Sequence, residues 1–231
     1  MSDFNNLFLH QEIMLLALRD EKGTIETGSM YQYAIGGAVV AELLLSDRIA
    51  IEKSRKKEFV VLNNSTPFGE PLLDICLEKL INAKRRATVQ TWVSRFAGVR
   101  NIKHIVAAEL CRKGILKTDE DKVLFIFTRK IYPEINPVPE QRLIERLRQA
   151  IFTDAMDIEP RTVVVLSLAH NSGLLRANFN KKQLKARKKR IEKIVNGEIA
   201  GKATKQAIEA MQAAVMVACI MPAVMSSTIS H

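Results

Sequence analysis

Eight lysines and arginines crowd the segment from Lys181 to Lys193: Lys181, Lys182, Lys185, Arg187, Lys188, Lys189, Arg190 and Lys193, against the single acid Glu192. They supply +7 of the chain's net charge of +10. The basic character is therefore local. Cations at this density attract an anionic partner, whether phospholipid, nucleic acid or an acidic protein. The same pattern also makes a solvated helix face that promotes solubility.

Catalytic chemistry is not suggested. The sequence holds no GxSxG elbow, no GxxxxGK[ST] phosphate loop, no GxGxxG and no HExxH. His10 and His170 fall in apolar helical segments and read as core or helix-end residues, and His231 is terminal. His104 sits among Arg100, Lys103 and Arg112, which disfavour its protonation, and no nucleophile lies beside it. Asp154 and Asp157 read as turn or capping carboxylates before Pro160. Cys76, Cys111 and Cys219 are far apart and show neither CxxC nor Cys/His spacing. They read as reduced, buried thiols of a cytosolic protein. The expectation is a non-enzymatic protein without metal or cofactor.

The elements that must position the basic residues are mostly helices. The apolar residues are chiefly Leu, Ile, Val, Ala and Met, which favours packed helices in a mainly α fold. Periodicity predicts helices at Leu7–Arg19, Ala34–Leu45, Leu72–Ala83, Val89–Phe96 and Ile102–Arg112. It predicts further helices at Glu140–Phe152, Thr162–Ala169, Lys182–Val195 and Thr204–Ala218. Residues 24–33, 63–71 and 133–139 read as loops. At 231 residues the chain is expected to form one domain, 1–231. No signal peptide is visible, and the apolar run Ala213–Met225 is short and interrupted by Pro222, so a buried terminal helix is expected.

Two stretches, 38–62 and 105–128, read as a helix followed by a hairpin. In the second, Thr118–Asp121 reads as an acidic turn and Val123–Thr128 as a strand. Helix-then-hairpin units occur in winged-helix modules, so a nucleic-acid-binding regulator is the alternative function. The run Leu124, Phe125, Ile126 and Phe127 is apolar on both alternating faces. It is expected to be covered by protein, either by the chain's own helices or by a second subunit in a homo-oligomer, with only its residual tip touching a membrane.

Several collinear stretches resemble the Golgi phosphoprotein 3 family. They include LFLHQEIMLLALRDEKG (7–23), AELLLSDRIAIE (41–52), PLLDICLEKL (71–80), TVQTWVSRFAG (88–98), VRNIKHIVAAELCRKGIL (99–116), EQRLIERLRQAI (140–151) and VVVLSLAHNSGLL (163–175). The resemblance implies a compact helical core ringed by amphipathic helices, with one or two short β-hairpins. It implies an adaptor, cytoplasmic and peripheral to the membrane (the Golgi in a eukaryote), that binds phosphatidylinositol 4-phosphate and the tails of membrane proteins. Two basic residues of the family's headgroup pocket correspond to Arg100 and Lys103, in VRNIK. Two cations three residues apart at a helix start suit a phosphate. Gly36 stands where the family has an Arg, and residues 25–27, where the family Trp is expected, are Ile, Glu and Thr. The expected function is binding of anionic phospholipid headgroups through Arg100 and Lys103, with Lys181–Lys193 as a membrane-facing basic patch.

Overall fold

The computed structural model describes residues 7–19, 23–25, 30–54, 57–123 and 127–215. In chain order these form α1 (Leu9–Ala17), β1 (Leu18–Arg19), β2 (Thr24–Ile25), α2 (Tyr31–Leu45), β3 (Ile49–Ser54), β4 (Lys57–Leu62), α3 (Pro71–Ile81) and β5 (Ala87–Thr88). Then follow α4 (Val89–Ala97), α5 (Ile102–Arg112), β6 (Asp119–Val123), β7 (Phe127–Ile131), α6 (Val138–Phe152), α7 (Pro160–Asn171), α8 (Leu174–Asn178), α9 (Lys181–Ala186) and α10 (Lys188–Val195). Residues 205–215 are also helical. The fold is mainly α, as the composition implied.

All nine residues of α1 are buried. A helix with no solvent face belongs in a core, and α1 packs against α2, α5, α6, α7 and α8. Its first turn is nonetheless polar: His10, Gln11 and Glu12. Buried polar groups cost several kcal/mol, on the order of 2–7, unless they are paired. Here each of the three side chains has at least one partner, although His10 Nδ1 and Glu12 Oε2 have no hydrogen bond among the described residues. Glu42 of α2 accepts the Leu9 N–H at 2.7 Å, and Arg161 of α7 grips both Glu42 oxygens at 3.2 Å. Arg161 also donates to the Leu7 carbonyl, and Arg146 of α6 donates to Glu12 at 3.0 Å. Glu109 of α5 accepts from His10, Gln11 and the Leu72 N–H at the start of α3. Three carboxylates, Glu12, Glu42 and Glu109, thus tie five helices to one helix end.

α2 lies closest to α4. Gly36 makes this approach possible, because a Cβ there would sit 2.5 Å from the Val93 carbonyl oxygen. The family's Arg cannot occupy this position in the present packing. The strands form three small antiparallel sheets among the described residues: β1–β2, β3–β4–β5 and β6–β7. The third strand of the middle sheet, the short β2 and the short α8 are absent from the periodicity reading. The loop expected at 24–33 instead holds β2 and the first residues of α2.

Three further expectations are corrected. The helix expected at Lys182–Val195 is broken at Arg187 into α9 and α10. Asp119–Asp121 is not a turn but part of β6, paired residue by residue with Arg129–Ile131 of β7. The acids alternate with cations across the pair (Glu120 opposite Lys130, Asp121 opposite Arg129), and that complementarity favours pairing over turn formation. Of the strand expected at Val123–Thr128, the described residues divide between two strands: Val123 ends β6, and Phe127 and Thr128 begin β7. Leu124, Phe125 and Ile126 lie outside the described residues. Of the run Ala213–Met225, residues 213–215 are described; Ala213 and Ala214 are buried on the core.

Candidate functional site

The start of α5 is built by a left-handed residue. Asn101 precedes the helix at φ 59°, a conformation Asn tolerates better than most residues. Val99 and Ile102 on either side are buried and anchor the turn, which leaves Arg100 exposed. Lys103, on the first turn, is half-buried, with its Nζ 5.6 Å from the centre of the Tyr132 ring. Burial, and then the positive charge of Arg129, lower its proton affinity.

Tyr132 connects helix and hairpin. It is buried, its hydroxyl lies 2.7 Å from His104 Nδ1, and its N–H donates to the Gly23 carbonyl at 2.9 Å. Gly23 has φ +56° and leaves no room for a Cβ against Tyr132 and Pro133, so the β7 end is clamped between residue 23 and α5. The pKa of His104 is lowered by burial, then by Lys103 and Lys130. His104 is thus neutral at pH 7, as its cationic neighbours in the sequence implied.

Beyond this clamp the hairpin arms are open to solvent. Asp119, Glu120, Thr128, Arg129 and Lys130 are all exposed, and because neighbouring strand residues point to opposite faces, both faces of the hairpin are uncovered. Arg129 donates from Nε and Nη2 to Asp121 at 3.1 and 2.6 Å. Arg100, Lys103 and Lys130 form no ion pair among the described residues. The structure therefore joins to Lys103 a set that sequence spacing did not reveal, His104, Arg129, Lys130 and Tyr132, while Arg100 is exposed at the preceding turn. The only sequence signal for Arg129, Lys130 and Tyr132 was their position on the strand after the acidic segment.

The second half of the family pocket has no counterpart among the described residues. Gly36 is buried in the α2–α4 contact, and Tyr31 and Tyr33 are half-buried against the core. Glu26 and Thr27 lie outside the described residues.

The Lys181–Lys193 run is not brought to this edge. α10 packs on α7, α7 on α1, and α1 on α5, so two helices separate them. Nor is the run uniformly free. Arg187 donates to the Phe152 carbonyl at 2.6 Å and to Asp154 at 3.0 Å. Arg190 donates to the carbonyls of Ala150 and Ala155 at 2.8 and 2.7 Å. Both therefore satisfy carbonyls at the end of α6 that the helix itself leaves unpaired. Lys188 pairs loosely with Glu192 at 3.7 Å. Lys181, Lys182, Lys185, Lys189 and Lys193 are exposed.

Among the described residues no cluster of three or more His, Cys, Asp or Glu could hold a metal, and no helix is long and apolar enough to cross a membrane. Burial raises the pKa of the Cys76 thiol strongly, which keeps it protonated and unreactive. α2 cannot serve as a groove-reading helix, since residues 34–44 are all buried.

The architecture is a helical scaffold with a cationic edge beside a projecting hairpin. The family model for Golgi phosphoprotein 3 (GPP34) matches residues 9–211. The chain belongs to the Golgi phosphoprotein 3 family.

Proposed function

We propose that the protein is a non-enzymatic adaptor, peripheral to a membrane, whose α5–β7 edge binds anionic phospholipid headgroups. The observation that carries this reading is that Arg100, Lys103 and Lys130 make no ion pair among the described residues, with Lys103 half-buried beside a hairpin whose described arms are largely exposed. Arg100 offers a planar fork to phosphate oxygens, and the two lysines offer point charges. Lys103 is already half-desolvated, so a phosphate there interacts in a lower effective dielectric than bulk water. Phosphatidylinositol 4-phosphate is the headgroup that the family resemblance suggests. The buried Gly36 and the missing Trp argue for a pocket that differs from the family's. The exposed lysines of α9 and α10 add long-range attraction to an anionic surface, and the tails of membrane proteins are the partners of such an adaptor.

The test is co-sedimentation with vesicles of phosphatidylcholine alone or with added phosphatidylinositol 4-phosphate or phosphatidylserine. Each cation near an anionic surface contributes roughly 1 kcal/mol. The R100A/K103A variant is therefore expected to lose about tenfold or more in affinity while its melting temperature stays put. Equal binding by the variant and the natural protein to every vesicle would refute the assignment. A shift of fluorescent duplex DNA at physiological salt, with no vesicle binding, would favour the nucleic-acid alternative.

A further inference from the structure

The basic run contributes to a feature that its charge alone does not predict. Between the chain following α6 and the helix α10 lies an open cavity of about 360 Å³. Arg187, Lys189, Arg190 and Lys193 line it, together with Met156, Ile199 and the carboxylates Asp154 and Glu198. Asp154 is engaged by Arg187 at 3.0 Å, and Glu198 accepts a long bond from the Asn196 amide at 3.5 Å. The backbone carbonyls of Phe152, Ala150 and Ala155 hold the two arginines in place. Their guanidinium groups are thus preorganised, and Arg190 Nη1 has no hydrogen-bond partner among the described residues. Lys189 and Lys193 stand one helical turn apart and make no ion pair among the described residues.

We propose that this cavity is a second anion site, for a phosphate monoester carried on a small soluble molecule or on a lipid headgroup. Positive charges outnumber negative ones in the lining, and both carboxylates already have partners. A phosphate presents several oxygens to converging donors, which suits two fixed guanidinium groups and two mobile ammonium groups. The cavity volume is at the lower end of the range for small-ligand sites, about 300–1,000 Å³. It therefore fits one compact ligand better than an extended acidic peptide. Met156, 72 % exposed, and the buried Ile199 provide apolar contact for the carbon skeleton that carries the phosphate. The site is separated from the α5–β7 edge by α1 and α7, and it does not depend on the lipid reading of that edge.

The full chain is titrated with a soluble inositol bisphosphate at fixed ionic strength, followed by calorimetry and by amide NMR shifts. Saturable binding is expected, with shifts concentrated at residues 153–158 and 187–199. K189A/K193A is expected to weaken the binding read at residues 187–199 roughly tenfold, and K189R/K193R to retain it. Lys189 and Lys193 are exposed, so both variants should keep the natural melting temperature. In a vesicle arm containing a phosphatidylinositol monophosphate, a parallel loss in K189A/K193A identifies the ligand as a headgroup. Soluble binding without any vesicle effect identifies it as a free phosphate. No saturable binding, binding unaffected by K189A/K193A, or displacement by an acidic peptide but not by the inositol compound would each overturn the proposal.

Discussion

His10 Nε2 and Glu109 Oε2 lie 2.8 Å apart with both side chains fully buried, and this contact joins α1 to α5 at the centre of the helical core. Burial alone would raise the Glu109 pKa. The hydrogen bonds and charge of His10, the Leu72 N–H and Gln11 outweigh burial and hold the carboxyl below its ordinary range. A carboxyl with a depressed folded pKa stabilises the fold above its unfolded pKa, near 4, and that stability is lost as pH falls through the folded value. Chemical denaturation between pH 3 and 7 should therefore show a decline below about pH 4 that is flatter in Glu109→Gln. Glu109→Ala should lose about 3–5 kcal/mol, because the Leu72 N–H and His10 lose their buried partner.

Arg161 stabilises two acids at once. It grips Glu42 at 3.2 Å and stands 3.9 Å from Glu12. Its removal leaves Glu42, with an oxygen still bonded to Leu9 N–H, as a buried charge without a cation. Arg161→Met is expected to lower stability by about 3 kcal/mol or more, as measured by urea unfolding. Glu12 has the opposite pH response from Glu109. Burial raises its pKa despite Arg146 and Arg161. Its contribution is therefore full below the unfolded pKa and is lost as pH rises through the folded value. Glu12→Gln should remove that loss and narrow the difference between stability at pH 5 and at pH 7.

Gly36 sets the α2–α4 distance. Gly36→Ala places a methyl group against the Val93 carbonyl and should lower stability by about 1–3 kcal/mol, despite the better helix propensity of Ala. Gly36→Arg, which restores the family residue, should unfold the chain or eliminate its cooperative melting transition. A variant G36R as stable as the natural protein would show that α4 can withdraw at little cost.

The helices and the absence of catalytic motifs were legible in the sequence because periodicity and motif spacing are local properties. The Lys181–Lys193 run was legible as charge, but its break was not. Arg187 ends α9 and begins α10 while donating to Phe152 and Asp154, and no local pattern predicts a contact with the end of α6. The buried network was hidden for a similar reason. Glu42 and Glu109 look like ordinary polar positions on amphipathic helices until α1 is seen to end on them. In the second hairpin, the acids of β6 resembled a turn because their partners, Arg129 and Lys130, lie on the opposite strand.

The His104–Tyr132 contact gives the α5–β7 edge a pH response. Because burial, Lys103 and Lys130 depress the His104 pKa, its charge appears only below its ordinary value near 6.5. Vesicle affinity should stay flat from pH 8 to about 6.5 and rise at lower pH as a further cation forms beside Lys103. His104→Gln should flatten the rise and leave affinity at pH 7.5 unchanged. The same sign applies to the fold: stability held above the unfolded His pKa is lost as pH falls through the folded one. A rise in affinity that persists in H104Q would assign the response to the lipid.

The final prediction concerns the hairpin. Its described arms are charged and largely exposed, its register runs from Asp119 opposite Ile131 to Val123 opposite Phe127, and the sequence between the arms is Leu124, Phe125 and Ile126. An apolar sequence of this kind favours association with lipid, with a second chain or with the chain's own helices, since fully burying one Leu or Phe side chain is worth about 1.5–3 kcal/mol. The acids Asp119 and Asp121 no longer oppose an anionic surface. Lys117 offsets the charge of Asp119 at 3.2 Å, and Arg129 that of Asp121 at 2.6 Å. F125S should therefore leave the melting temperature unchanged and weaken vesicle binding by roughly tenfold or more. A conversion of oligomer to monomer in light scattering, with vesicle binding intact, would instead make the hairpin a subunit contact. A lower melting temperature at every protein concentration would show that the chain's own helices cover the segment, and the lipid assignment of the hairpin would fail.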